Sequence, residues 1–239
     1  MFHDDTLSCF PYVVFYYSIK IPLLKMINMM CFFCVKLFFI VVWIKSGMIF
    51  IIMANEVCEE FIDRPVVMVG LMGAGKTSVG RALARRLGIP FVDSDKEIEM
   101  AAGCSVVDIF SMYGEEEFRR VEQRVIERLL DTPPALKVIS TGEGAFITPA
   151  VREMVLARAL SVWLRADLDL LVRRTGARDT RPQLLNTDSR KILSQLIDER
   201  YKTYALADIT VETKDENLRK TLGKVLKAIE DYSNRQDKE

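Results

Sequence analysis

Residues 70–77 constrain the fold of this chain more than any other segment, because they read Gly-Leu-Met-Gly-Ala-Gly-Lys-Thr. This segment, the P-loop below, matches the phosphate-binding pattern G-x-x-x-x-G-K-[ST] in full. The apolar run 65–70 predicts a buried strand before it, and the periodicity of 78–87 predicts a helix after it. Strand, loop and helix together are the context in which this pattern binds phosphates, which makes a chance glycine-rich turn a poor alternative.

The chemistry of the P-loop favours a nucleoside triphosphate. Glycines allow successive backbone N–H groups to point at one anion, and the helix N-terminus adds its positive dipole end. Lys76 adds a full charge near the β- and γ-phosphates, and the Thr77 hydroxyl is suited to Mg²⁺. We therefore expect a nucleoside triphosphate and Mg²⁺, with the nucleotide held by Gly73, Ala74, Gly75, Lys76, Thr77 and Ser78.

The amino-acid composition changes sharply near Met53. Residues 1–53 lack Ala, Arg, Glu and Gln but contain 8 of the 13 Phe and 6 of the 11 Met. Four lysines interrupt this leader, so no uncharged stretch reaches the length of a membrane-spanning helix. We expect residues 1–52 to be a mis-assigned upstream extension, with a weak membrane anchor as the alternative, and 53–239 to form one domain that contains the P-loop. Mass spectrometry of the natural N-terminus distinguishes the two.

The composition of the domain limits its chemistry and its partners. Its formal charge is −2, because the neutral chain has a leader of +2, so neither nucleic acid nor an anionic membrane is an expected partner. The single histidine is His3, which removes Ser-His-Asp, Cys-His and histidine-metal chemistry from the domain. Cys58 and Cys104 suit unpaired thiols in a reducing cytoplasm. We expect a cytoplasmic monomer.

Strand and helix patterns alternate along the domain. Alternation predicts a parallel sheet covered by helices, with ligands at the carboxyl ends of the strands. The polar segment 175–189, with Arg178 and Arg181, is expected to be a mobile lid over the phosphates. Strands are predicted at 65–70, 89–93, 137–141, 161–165 and 208–212. Helices are predicted at 76–87, 95–102, 105–112, 115–130, 149–158, 167–173, 189–206 and 215–233.

Asp93 and Asp95 end the second predicted strand, and residues two apart on a strand face the same side. Both carboxylates can then point towards the P-loop, one to hold Mg²⁺ through water and the other to accept a proton from an attacking hydroxyl. The alternative is that Asp95 caps the next helix.

Three further segments are ambiguous when each is taken alone. Arg119 and Glu122 are three residues apart, a spacing that usually occurs on a solvated helix face. Arg200 carries no local signal, and 141–145, Thr-Gly-Glu-Gly-Ala, could offer backbone N–H groups to a ligand.

In order and spacing, however, these segments resemble the shikimate kinase family along nearly all of 64–213. The family pattern is a P-loop, then D-[ST]-D, G-E-x-x-F-R-x-x-E, T-G-G-G-A, R-P and R-x-x-x-Y. The chain gives the P-loop, 93–95, 114–122, 141–145, Arg181-Pro182, and Arg200 with Tyr204. The resemblance implies an α/β, three-layer α/β/α P-loop kinase fold with a five-stranded parallel sheet and a mobile lid.

The resemblance also implies a role for each matching residue. Those matching Asp95, Arg119 and Arg200 bind shikimate, the arginines through its carboxylate, and those matching Thr77 and Asp93 support Mg²⁺. Arg174 corresponds to a position that packs on adenine. The catalytic residues implied are Lys76, Asp95 and Arg181, and the substrate-binding residues are Asp95, Arg119, Gly142, Glu143, Gly144 and Arg200.

Two positions depart from the family pattern. Glu143 replaces the middle glycine of T-G-G-G-A, where a positive φ would strain it and its charge would oppose an anionic substrate. It either weakens substrate binding or turns outward. If it weakens binding, Glu143→Gly lowers the Michaelis constant for shikimate. Gln183 replaces an apolar residue, and we expect little from it.

Three functions are compatible with these residues. The favoured one is shikimate kinase, which phosphorylates the 3-hydroxyl of shikimate with ATP in aromatic amino acid biosynthesis. The second is a related kinase for another small hydroxy acid, such as gluconate. The third is a nucleotide-binding or regulatory protein without turnover.

Overall fold

The computed structural model describes residues 39–43, 49–53, 62–176 and 189–236. The chain divides into two compact units, Met1–Val57 and Cys58–Glu239, close to the change in composition. In the first unit, strands β1 (Phe39–Trp43) and β2 (Ile49–Met53) pair antiparallel, with Val41 opposite Ile51. Among the described residues, no helix has both the length and the apolar character needed to cross a membrane. The expectation for residues 1–52 stays a prediction.

The second unit is built on a parallel sheet of five strands in the order β4-β5-β3-β6-β7. The central strand consists of four buried apolar residues, as expected for a strand covered on both faces. The edge strand β7 instead alternates buried and exposed residues. The strands are β3 (Val66–Val69), β4 (Phe91–Asp93), β5 (Val138–Ser140), β6 (Leu160–Ala166) and β7 (Ile209–Thr213).

Seven helices accompany these strands in the described part of the chain. Helices α1 and α7 pack together, as do α3 and α4, and α5 and α6. The helices are α1 (Lys76–Leu87), α2 (Ser94–Ala102), α3 (Val106–Asp131), α4 (Pro149–Arg158), α5 (Leu168–Gly176), α6 (Ser189–Tyr204) and α7 (Leu218–Gln236). The fully buried core includes Leu83, Ile98, Ile126, Ile139, Leu164 and Leu171.

The predicted α/β fold with five parallel strands is confirmed. The helices predicted at 105–112 and 115–130 form one element, α3, broken by Gly114 with φ 79°. The last helix begins at Leu218 rather than at 215, because the Asn217 side chain accepts a hydrogen bond from the Lys220 N–H at 3.0 Å. The predicted lid, with Arg178 and Arg181, lies outside the described residues apart from its ends.

Candidate active site

The P-loop connects β3 to α1 at the carboxyl edge of the sheet. Gly73 and Gly75 have φ values of 78° and 103°, a region that favours glycine. No side chain caps the N-terminus of α1, so its first-turn N–H groups remain available to an anion. The Lys76 ammonium is buried and donates to the carbonyls of Gly70 at 2.7 Å and Leu71 at 3.1 Å.

A cavity of about 980 Å³ opens beside the P-loop. One end is lined by the P-loop, Arg174 and Glu216, and the other by Asp95, Arg119 and the loop of residues 142–144. Apart from Arg181 and Arg200, every residue predicted from the sequence to bind a ligand lines this cavity. Arg181 lies outside the described residues, and Arg200 is treated below.

Thr77 and Asp93 meet between the P-loop and the end of β4. The Thr77 hydroxyl donates to Asp93 Oδ2 at 3.1 Å and lies 3.3 Å from the Ser140 hydroxyl. Strand pairing places Ser140 directly beside Asp93. The sequence prediction missed Ser140, because only the order of the strands shows that the end of β5 is next to the end of β4.

Arg174 reaches back from α5 to the P-loop. One guanidinium nitrogen lies 3.4 Å from the carbonyl oxygens of Gly73 and Ala74, and the other donates to the carbonyl of Lys214 at 3.2 Å. Arg174 therefore links the P-loop to the segment that precedes α7, at the nucleotide end of the cavity.

Asp95 and Glu122 converge above Gly142. A Cβ atom at Gly142 would lie 2.8 Å from Asp95 Oδ1 and 2.8 Å from Glu122 Oε1, so any side chain there would displace both carboxylates. The cap position of α2 belongs to Asp93, and the alternative that Asp95 caps this helix is wrong. Asp95 lies in the first turn of α2 and lines the cavity.

Arg119 and Glu122 form a partly buried pair rather than a pair on a solvated face. Glu122 is fully buried, and its Oε2 lies 2.7 Å from Arg119 Nη1, while Glu115 lies 3.1 Å from Nη2. Burial raises the pKa of Glu122 and the charge of Asp95 adds to this, whereas Arg119 opposes it. Glu122 therefore orients Arg119, and its burial costs desolvation energy. The three-residue spacing alone did not reveal this burial.

The 142–144 loop contacts both arginines of the predicted substrate site. A Cβ at Gly144 would lie 2.3 Å from Arg119 Nη2, so this guanidinium rests directly on the Gly144 backbone. At the neighbouring residue, Glu143 Oε1 lies 3.5 Å from Arg200 Nη1. Among the described residues no amino acid other than glycine has a positive φ, so the strain expected at Glu143 is absent.

The alternative that Glu143 turns outward is wrong, and a weakening of substrate binding by Glu143 stays a prediction. Its side chain is only 17% exposed and lines the cavity, whereas Arg200 is not part of the lining. The Tyr204 hydroxyl, one turn after Arg200, donates to the Glu143 carbonyl. Helix α6 thus holds both the side chain and the backbone of Glu143.

A P-loop at the carboxyl edge of a parallel sheet, facing carboxylates and arginines across one cavity, defines a P-loop kinase of small molecules. The shikimate kinase family model matches residues 72–230. This chain belongs to the shikimate kinase family.

The individual relatives agree with the family match. A shikimate kinase of Paramagnetospirillum magneticum is 52% identical over 171 residues, which are 72% of this chain and 87% of that protein. A shikimate kinase of Mesorhizobium japonicum is 47% identical over 70% of this chain and 81% of that protein. The structure of a shikimate kinase from Acinetobacter baumannii in complex with shikimate is 37% identical, with a TM-score of 0.65, covering 70% of this chain and 92% of that one.

Proposed function

We propose that this chain is a shikimate kinase, which transfers the γ-phosphoryl group of ATP to the 3-hydroxyl of shikimate and releases shikimate 3-phosphate and ADP. The observation that carries this proposal is the shared cavity, with the P-loop at one end and Asp95 and Arg119 at the other. Family membership favours this function over the two alternatives, a kinase of another small hydroxy acid and a nucleotide-binding protein without turnover.

At the nucleotide end, residues 73–78 hold the phosphates of ATP. The uncapped N-terminus of α1 and the Lys76 ammonium favour the negative charge that spreads over the transferring group. Arg174 packs on the adenine while its guanidinium keeps contact with the P-loop carbonyls. Arg181, from the lid, adds a further positive charge at the transferring phosphate.

The residues present suit Mg²⁺, because the Thr77 hydroxyl and the Asp93 carboxylate are oxygen donors 3.1 Å apart beside the P-loop. Among the described residues no three carboxylate, histidine or cysteine side chains cluster as a metal site. Phosphate oxygens and water would therefore complete the coordination. Bound there, Mg²⁺ would neutralise the negative charge of the phosphates.

At the substrate end, Asp95 accepts the proton of the attacking hydroxyl and Arg119 binds the substrate carboxylate. A guanidinium presents paired N–H donors that match a carboxylate, and the buried Glu122 fixes the orientation of this one. The backbone of the 142–144 loop lies against Asp95 at Gly142 and against Arg119 at Gly144. We further propose a cytoplasmic monomer; the described cysteine, Cys104, is a free thiol.

The test is a coupled assay of ADP release with ATP and Mg²⁺, with and without shikimate. We expect shikimate-dependent turnover, and its absence in the presence of nucleotide binding would contradict the proposal.

Arg119→Ala should raise the Michaelis constant for shikimate about tenfold to a hundredfold, the value of charge-assisted hydrogen bonds, and leave the dissociation constant of ADP unchanged. The matched control is Arg120→Ala, an exposed neighbour that pairs with Glu116 and Glu117. Equal loss of both ligands would refute the role of Arg119.

A further inference from the structure

Glu143 pairs with Arg200, whose guanidinium is expected to bind the carboxylate of the substrate. Its Oε1 lies 3.5 Å from Arg200 Nη1, and both side chains are largely buried, at 17% and 21% exposure. The Glu143 side chain of this pair lines the cavity.

The position of Glu143 is fixed by the fold. Tyr204 is fully buried and its hydroxyl donates to the Glu143 carbonyl, which ties the 142–144 loop to α6. Arg200 is four residues before Tyr204 on the same helix, so both face the same loop. Because Glu143 has an ordinary backbone conformation, nothing in its φ forces the side chain away from Arg200.

We propose that Glu143 is a specificity-determining residue that competes, as an internal carboxylate, with the substrate carboxylate for Arg200. This inference rests on the proposed function. The pairing of Glu143 with Arg200 is an ion pair, so Glu143 offers this guanidinium a charge partner of the same kind as the carboxylate of an acidic substrate. A substrate carboxylate must therefore displace Glu143 or share Arg200 with it, and both are unfavourable for two like charges. An uncharged analogue of the substrate escapes this penalty.

The experiment compares shikimate with its methyl ester, which keeps the hydroxyls but lacks the negative charge. Calorimetry measures the dissociation constants of both for the full chain, for Glu143→Gln and for Glu143→Gly, and the coupled assay measures kcat with shikimate. Glu199→Gln is the matched control, because it removes the same charge from the residue that precedes Arg200 in the sequence. Glu199 is exposed and accepts a hydrogen bond from Gln195.

We expect Glu143→Gln and Glu143→Gly to tighten shikimate binding by about threefold to tenfold, the size expected for one partly exposed ion pair together with the loss of like-charge repulsion. Binding of the methyl ester should change less than about twofold. The control should leave both ligands unaffected within about twofold.

Two results would overturn the inference while leaving the proposed function intact. One is shikimate-dependent turnover with unchanged or weaker shikimate binding in Glu143→Gln, which would make Glu143 a support for Arg200. The other is an equal change for the acid and the ester, which would make its effect one of shape rather than charge. A full chain and variants that release no ADP in response to shikimate would instead refute the proposed function, and this inference with it.

Discussion

Replacing Gly144 with alanine tests whether the contact between the 142–144 loop and Arg119 positions the substrate. Gly144 has φ −88° and ψ −13°, which alanine adopts without strain. The added Cβ would lie 2.3 Å from Arg119 Nη2, below the 3.0 Å that real Cβ contacts respect, so the guanidinium must retreat by at least about 0.7 Å. The atoms in conflict are at the end of a flexible side chain, and the fold should therefore survive.

The magnitude follows from this displacement. Misplacing a substrate-binding group by about 1 Å can cost about a hundredfold in rate. Since the retreat is somewhat smaller, we expect kcat/KM for shikimate to fall about tenfold to a hundredfold, equivalent to about 1.4–2.7 kcal/mol. The retreat also moves Nη1 away from Glu122, which now lies 2.7 Å from it.

The assay measures kcat/KM for shikimate, the dissociation constant of ADP and the midpoint of thermal unfolding. Gly223→Ala is the control, because Gly223 is exposed on α7 and an added Cβ would meet nothing within 4 Å. Helix propensity predicts that the control gains stability, up to about 1 kcal/mol, with unchanged kinetics. The reasoning is refuted if Gly144→Ala binds shikimate as well as the original chain, or if ADP binding and stability fall together with activity.

Two further predictions concern stability. Because burial raises the pKa of Glu122 above 4.5, the folded chain keeps this proton longer than the unfolded chain, and the free energy of unfolding falls as pH rises from about that value through the higher native pKa. Glu122→Gln has no carboxyl group to titrate at this position, so its free energy of unfolding should not fall in this way. Denaturant titrations at several pH values should therefore show the original chain losing stability relative to the variant over this pH range, and a difference in stability that does not change with pH would contradict the raised pKa. Lys137 is 3% exposed and donates to the carbonyls of Leu129, at 2.8 Å, and Thr132, so Lys137→Met should cost about 1–3 kcal/mol of stability and leave the Michaelis constants unchanged. A shift in those constants would show that Lys137 influences the cavity.

The elements of the fold were predictable because local patterns determine them. The apolar run before the P-loop and the periodicity after it correspond to β3 and α1. The break at Gly114 was visible from the sequence, although the two helices join through it. The boundary of α7 was less predictable, because it depends on one hydrogen bond that the Asn217 side chain accepts from the Lys220 N–H.

The environment of the site residues was less predictable, because it depends on contacts between distant parts of the chain. The burial of Glu122 results from packing and leaves no trace in its spacing from Arg119. The contact of Ser140 with Thr77 requires the strand order, and the pairing of Glu143 with Arg200 requires α6 to lie against the 142–144 loop. The family resemblance indicated the candidate residues, and the structure shows what those in its described part contact.

The contact of the 142–144 loop with both arginines has a consequence for how this site tolerates mutation. Gly144 supports Arg119, and the adjacent Glu143 pairs with Arg200. Substitutions at these positions share partners, so their effects on substrate binding should be non-additive. A variant of Arg200 would leave the Glu143 carboxylate largely buried without this guanidinium, and would be tolerated best when position 143 changes as well. Positions 143 and 200 should therefore evolve as a pair.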